Sequence, residues 1–219
     1  MNKDAAVKMF LNIFTGSRDE DVYKTLYQIS SVVSKEKKEI FFLEDEEGSH
    51  IYFLLSGVVK LSKTNDEGKE AVIHFVKSGE IFAEILLYLK NRYPVTATAL
   101  EDCEALAIDS KKLFDEIKRQ PEFSMKLIGV LAGRIKYFVN MIENLTLADT
   151  RKRFLSYLNN IAEKQNSKVV TLPVNKGELA LLLGSTPETF SRLLKKLAEE
   201  EVIVVRGKEI TLIDLGELQ

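Results

Sequence analysis

Residues 174–205, VNKGELALLLGSTPETFSRLLKKLAEEEVIVV, read as two short amphipathic helices on either side of a tight turn at Gly184. Leu179, Leu182 and Leu183 make the apolar stripe of the first helix, entered through Asn175 with Glu178 three residues later, the spacing of a capping box. Gly184 supplies the positive φ that ends it. The second helix starts at Ser185 or Thr186, with Pro187 tolerated because first-turn N–H groups have no helical partner. Phe190, Leu193, Leu194 and Leu197 then recur at helical spacing and face a core. Glu188, Ser191, Arg192 and Lys195 repeat that spacing on the opposite face. This is the pattern of a helix-turn-helix.

The polar face suits a major groove. Arg can pair bidentately with guanine, a carboxylate can accept from cytosine, and Ser can serve base or phosphate. A polar face on a surface helix is by default only solvated, and Glu188 also sits where a capping box with Ser185 would place a Glu. The ensemble favours DNA: a capped helix, a Gly turn, a Pro-started second helix, then VIVVRGKEITLID, two β-rich runs around Arg206-Gly207-Lys208. A winged helix-turn-helix accounts for all of it.

Composition narrows the rest. At 219 residues, with 45% hydrophobic and 29% charged side chains, the chain has the make-up of a soluble protein with room for two cores. No apolar run reaches membrane-spanning length, and MNKDAAVKMF lacks the apolar centre of a signal peptide, so a cytoplasmic protein is expected. Cys103 is the single cysteine, which excludes a disulfide framework or a cluster held by four cysteines of one chain. His50 and His74 are too few for most multi-ligand metal sites. Net charge is −2, and residues 149–219 carry eleven Lys plus Arg against ten Asp plus Glu, so any basic footprint for DNA must be local.

Residues 2–36 read as small helices, from the periodicities of Val7, Phe10, Leu11 and Phe14 and of Val22, Leu26 and Ile29, mixed with Asp19, Glu20 and Asp21. From Glu39 the period shortens. EIFFLED, HIYFLLSGVVKLSKT, KEAVIHFVKSGEIFAE and VTATALEDCEALAI are rich in β-branched and aromatic residues, broken by glycines at intervals of about ten, which predicts a β-roll or jelly roll. Asp109 to Pro121 predicts a short helix and turn. Glu122 to Leu147 predicts a long helix whose Met125, Leu127, Ile128, Leu131, Ile135, Phe138, Val139, Ile142 and Leu145 cover more than one face. Such a helix must bury one side on its own domain and another elsewhere, most economically on its own copy in a second subunit. Asp149 can cap the next helix, whose Phe154, Leu155, Leu158 and Ile161 would pack on the helix-turn-helix, and KVVTLPV reads as a strand leading into it.

With these stretches in place the chain resembles the CRP/FNR family of bacterial transcription regulators along nearly its whole length. The residues that carry the likeness are IYFLLSGVVKL, the run from Gly79 to Glu84, PVTATALED and LALLLGSTPETFSRLLKKLAEEEVI, the last being the most specific. The resemblance implies an α+β fold: an N-terminal effector-sensing β-roll (1–120), a dimerisation helix (121–147) and a C-terminal winged helix-turn-helix (148–219). It also implies a homodimer, with RNA polymerase as a partner and an effector in the roll that repositions the long helices. Glu188, Ser191 and Arg192 match the E-x-x-S-R pattern of the FNR-like branch, which resembles readers of TTGA half-sites in an inverted repeat. Arg192 would take the guanine, Glu188 the cytosine opposite it and Ser191 a thymine or phosphate. Thr186, Thr189 and Lys195 would contact phosphate.

The sensor departs from the cyclic-AMP receptors it resembles. Glu84 matches their ribose acceptor, but the region that should hold the cyclic phosphate reads Asn91-Arg92-Tyr93-Pro94-Val95-Thr96, with Pro94-Val95 in place of an Arg-Ser pair. Ala83 replaces a glycine, and Phe138 and Val139 replace two hydroxyls that hold adenine. Each polar group so orphaned costs about 1–3 kcal/mol, which argues against cyclic AMP. The cysteines of the iron–sulfur sensors are missing, which excludes that cofactor. The resemblance implies an apolar effector pocket of Phe82, Ala83, Glu84, Ile85, Leu86, Tyr93, Val95, Thr96, Phe138, Val139 and Met141, suited to a hydrophobic or flat aromatic effector. Haem with a diatomic gas is one candidate, with His74 as an axial ligand, though a lone His on a strand is more often a core or edge residue. Cys103, flanked by Asp102 and Glu104, reads as a small hydrophobe.

Two other classes fit the sequence less well. An enzyme would need a Gly-rich phosphate loop, a Ser/His/Asp grouping or metal-spaced histidines, and none is present. The acidic runs Glu46-Glu47 and Glu199-Glu200-Glu201 have the look of solvated helix ends and turns. A ligand-binding module without DNA function conflicts with the intact face of Glu188, Ser191 and Arg192.

Overall fold

The glycine-punctuated stretch from residue 39 folds as the sequence predicts, into paired antiparallel strands. The computed structural model describes residues 1–14, 20–88 and 92–213, with Glu122 and Asn144 described by their backbone alone. Asp19 and Asn91 lie outside these. The chain divides into two compact units, Met1–Gly68 with Ile73–Ile135, and Lys136–Gln219 with the short run Lys69–Val72.

The first unit begins with helices α1 (Lys3–Phe14) and α2 (Glu20–Gln28). Eight strands follow: β1 (Ser30–Lys35), β2 (Ile40–Phe42), β3 (His50–Ser56), β4 (Val58–Thr64), β5 (Glu70–Lys77), β6 (Ile81–Phe82), β7 (Thr96–Ala99) and β8 (Cys103–Asp109). A 3-10 turn, Glu84–Leu87, separates β6 from β7. Two four-stranded sheets result, in the orders β1-β8-β3-β6 and β2-β7-β4-β5. The segment read as one run, HIYFLLSGVVKLSKT, is β3 and β4 turning at Gly57. There φ is +90°, and a Cβ would stand 2.5 Å from Cys103 Sγ, so only glycine fits.

One expectation fails here. Residues 2–36 are not helical throughout, because Ser30–Lys35 pairs antiparallel along β8, from Ser30 opposite Ile108 to Lys35 opposite Cys103. Tertiary pairing overrides a run, SSVVSK, whose own β signal is only two valines. β8 lies between β1 and β3, and α1 touches it, so Ala105, Leu106, Ala107 and Ile108 are buried in succession rather than alternately. Phe10 and Phe14 of α1 pack their rings against Phe53 and Phe123 at centroid distances of 5.4–6.0 Å. Each such ring stabilises by about 1.5–3 kcal/mol through burial alone.

Helix α3 (Ser110–Arg119) is capped by the Asp109 carboxylate on the Lys112 N–H, and α4 (Pro121–Leu147) starts on a proline, as helices prefer. Its 27 residues span about 40 Å. Phe123 and Leu127 are buried, whereas Met125, Ile128, Ile135, Val139, Ile142 and Leu145 are exposed by 43–66%.

In the second unit, Asp149 caps α5 (Thr150–Gln165) by accepting from the Lys152 N–H, as expected. β9 (Val169–Thr171), α6 (Lys176–Leu182), α7 (Pro187–Glu199), β10 (Ile203–Arg206) and β11 (Glu209–Leu212) complete it. The three strands form a sheet in the order β10-β11-β9, with β10 and β11 paired from Ile203 opposite Leu212 to Arg206 opposite Glu209.

Candidate DNA-reading face and effector domain

Both helices of the pair form where the sequence predicts. Asn175 Oδ1 accepts from the Glu178 N–H at 2.9 Å, and Gly184 ends the turn with φ +65°. A Cβ at Gly184 would stand 2.9 Å from Leu145 Cδ2, so the residue is fixed by crowding as well as by φ. Thr186, rather than Ser185, is the N-cap of α7: its hydroxyl accepts from the Thr189 N–H at 3.3 Å and Pro187 follows as the first helical residue. A capping box with Ser185 is therefore not formed, and Glu188 is left in the first turn with its side chain exposed.

The apolar side of α7 is buried at Phe190, Leu194 and Leu197, with Leu193 half-buried. Phe190 meets Phe154 of α5 edge to face, centroids 4.9 Å apart at 88°, which fixes α7 on the helix beneath it. With that side held, Thr186, Glu188, Thr189, Ser191, Arg192 and Lys195 are all exposed on the other. Arg192 Nη2 donates to Thr189 Oγ1 at 3.3 Å, and Lys195 makes a loose i,i+4 contact of 3.8 Å with Glu199. An ion pair as exposed as Lys195–Glu199 contributes little and releases easily. At the far end of α7, Glu200 binds Arg151 of α5; that hydrogen bond and charge hold its carboxyl below the usual range.

The predicted effector residues are divided between the two units. Phe82 and Tyr93 belong to an aromatic cluster in which Tyr93 stacks on Phe42 at 3.8 Å and Phe82 on Tyr52 at 5.1 Å. Tyr93 is further fixed by donating its hydroxyl to the His50 carbonyl, and its burial pushes that hydroxyl well above the usual range. Leu86 is buried, and Ile85, Val95 and Thr96 are half-buried, with Thr96 Oγ1 accepting from the Glu44 N–H. Ala83 takes a left-handed conformation, φ 64° and ψ 17°, and turns the chain so that Glu84 meets Arg134 of α4. Arg134 also donates to the Ile81 carbonyl at 3.0 Å. Phe138, Val139 and Met141 belong to the second unit, where Val139 is exposed and the other two are half-buried.

Arg92, two residues before the position of the phosphate-holding arginine, has its guanidinium on the Asp45 carbonyl at 2.6 Å and on Glu47 at 3.3 Å. The Nε2 of His74, the haem-ligand candidate, lies 3.1 Å from Glu80 Oε2, so this nitrogen is engaged by a carboxylate. Burial alone would raise the Glu80 carboxyl. The His74 hydrogen bond and charge, the Lys77 N–H and the Arg134 charge together hold it below the usual range. Burial pushes the Cys103 thiol up, in keeping with a small hydrophobe. Among the described residues no group of three or more His, Cys, Asp or Glu could hold a metal ion. No helix among them is long and apolar enough to cross a membrane.

Nothing local in the sequence marks Arg134. Its partner is 50 residues away, and no local spacing reports such a pairing.

Comparison with known proteins agrees with this construction. Residues 32–120 match the model of the cyclic nucleotide-binding domain, and residues 152–219 that of the Crp-like helix-turn-helix domain. The chain is 26% identical over 182 residues to the CRP-like cAMP-activated global transcriptional regulator of Mycobacterium tuberculosis, covering 81% of each chain. It is 28% identical over 183 residues to the global nitrogen regulator of a Nostoc species, covering 80% of this chain and 82% of that one. A CooA variant from Carboxydothermus hydrogenoformans superposes with a TM-score of 0.79 at 24% identity, over 95% of this chain and 93% of that one. The chain belongs to the CRP/FNR family of transcription regulators. Its members are DNA-binding regulators with a cyclic-nucleotide-binding-type effector domain, not enzymes.

Proposed function

We propose that the chain works as a homodimer that reads an inverted repeat of TTGA-type half-sites and is gated by an effector other than cyclic AMP in its β-roll. Residues 1–120 then sense, 121–147 join the two copies and 148–219 read DNA, with RNA polymerase as the downstream partner. The observation that carries the DNA reading is that Glu188, Ser191 and Arg192 share one exposed face of α7, and no ion pair ties Arg192 to Glu188 among the described residues. Arg192 takes guanine N7 and O6, Glu188 accepts from the opposed cytosine, and Ser191 contacts thymine or phosphate. Thr186, Thr189 and Lys195 hold the backbone. Gel-shift of the full chain on an inverted TTGA repeat tests this, with Arg192→Ala expected to lose about 1–3 kcal/mol per half-site. Equal binding by that variant overturns it.

The case against cyclic AMP rests on charge. Glu84 is already matched by Arg134, Arg92 is occupied by the loop that carries Asp45 and Glu47, and the aromatic rings of Phe42, Tyr52, Phe82 and Tyr93 pack on one another. An anionic nucleotide would forgo a cation for its phosphate, whereas an apolar or flat aromatic effector needs none. Calorimetric titration with cyclic AMP is expected to give no binding heat at millimolar nucleotide; a saturable signal at micromolar levels defeats this part of the proposal alone.

A further inference from the structure

Along one edge of α7 three side chains form a relay. The Thr186 hydroxyl, which caps the helix, donates to Thr189 Oγ1 at 3.1 Å. The same oxygen accepts from Arg192 Nη2 at 3.3 Å. A hydroxyl has two acceptor sites and one hydrogen, so Thr189 Oγ1 is filled as an acceptor within the protein and keeps its hydrogen for an outside acceptor, which is the chemistry of a phosphate oxygen. Hydrogen bonds in series polarise one another. Glu188 stands at i−4 from Arg192, the spacing at which a carboxylate and a guanidinium normally pair on a helix, yet no such pair forms among the described residues.

We propose that Thr189 is a positioning residue for Arg192: its hydroxyl holds the guanidinium away from Glu188 and over the base edge, and so sets base discrimination. The proposal rests on the reading in which Arg192 takes a guanine. Arg has many rotamers, and holding one of them in advance removes an ordering cost that would otherwise fall on binding. It also keeps Glu188 unpaired for its own base. A plain phosphate contact by Thr189 would instead act on every sequence alike.

The test compares binding of the full chain to the inverted TTGA repeat and to the same duplex carrying 7-deazaguanine at the contacted guanines, which removes the N7 acceptor and leaves every phosphate in place. For the parent the replacement is expected to cost about tenfold or more. Thr189→Val keeps the β-branched shape and the N–H that meets the cap, and it should shrink that penalty to below about threefold. Thr189→Ser should restore it. If Thr189→Val weakens binding to both duplexes by the same factor, the hydroxyl serves phosphate alone and the proposal is overturned, as it is if Ser does not restore the penalty. Arg192→Ala separates the two readings. Should it keep the parental penalty, the guanine assignment fails and the relay with it; should it abolish the penalty while Thr189→Val retains it, only the relay fails.

Discussion

Ala83 holds φ 64° on the way into the 3-10 turn, a conformation that costs an L-residue about 1–2 kcal/mol. Glycine would relieve that cost while giving back part of it as unfolded-state entropy. Ala83→Gly is thus expected to gain about 0.5–1 kcal/mol, a rise of a few degrees in thermal midpoint. A midpoint unchanged or lowered would mean the turn is not strained. The residue type alone marks Ala83 as a departure from the family's glycine; the backbone angle adds that the strain lies beside Glu84 and Arg134. Glu80, nearby, gives a pH signature. Because its carboxyl is held below the usual range in the folded chain, its contribution is fully present above the ordinary carboxylate pKa and is lost as pH falls through the folded value. Acid unfolding followed by circular dichroism should show Glu80→Gln losing less stability than the parent on going from neutral pH to below pH ~4. Parallel curves for the two would remove the His74–Glu80 pair from the account.

At the scale of an element, α4 is the feature with most to explain. Ile128, Ile135 and Ile142 recur every seven residues, and Met125, Ala132 and Val139 interleave with them, all exposed. That alternating three-and-four spacing is the seam of a two-stranded coiled coil. If two copies meet there, Ile135→Asp places a charge twice into one seam and should give a monomer in sedimentation velocity, whereas Lys136→Glu, one position round, should leave the dimer intact. A dimeric Ile135→Asp would send the contact elsewhere. The helix itself was legible because it lies between the turn at Pro121 and the cap of the next helix at Asp149, and its apolar residues are too many for one face. The two reading helices were legible for the same reason, their caps and periods being local. β1 was not, since Ser30–Lys35 is a strand by virtue of β8 about seventy residues on, and no window of the chain contains both.

For the molecule as a whole, 31 cations against 33 anions leave little general attraction for a polyanion. Binding must ride on a few contacts, and the salt dependence counts them. Each phosphate neutralised adds about 0.9 to the slope of log K against log salt. Lys195→Ala should therefore lower that slope by about one per half-site while leaving the preference for the repeat unchanged. An unchanged slope would remove Lys195 from the phosphate contacts. What stayed hidden at this scale was the state of the sensor: the sequence named Glu84 and Tyr93, but that one is matched by Arg134 and the other stacked on Phe42 depends on partners fifty residues away on either side. Cys103 has a practical sequel. As the sole thiol, with only 2% of its surface accessible, it is poorly placed to compete with a cysteine introduced on an exposed helix position. Spin labels or fluorophores can therefore be attached to the otherwise native sequence, and the separation of two reporters in a proposed pair of copies becomes a ruler for what the effector does.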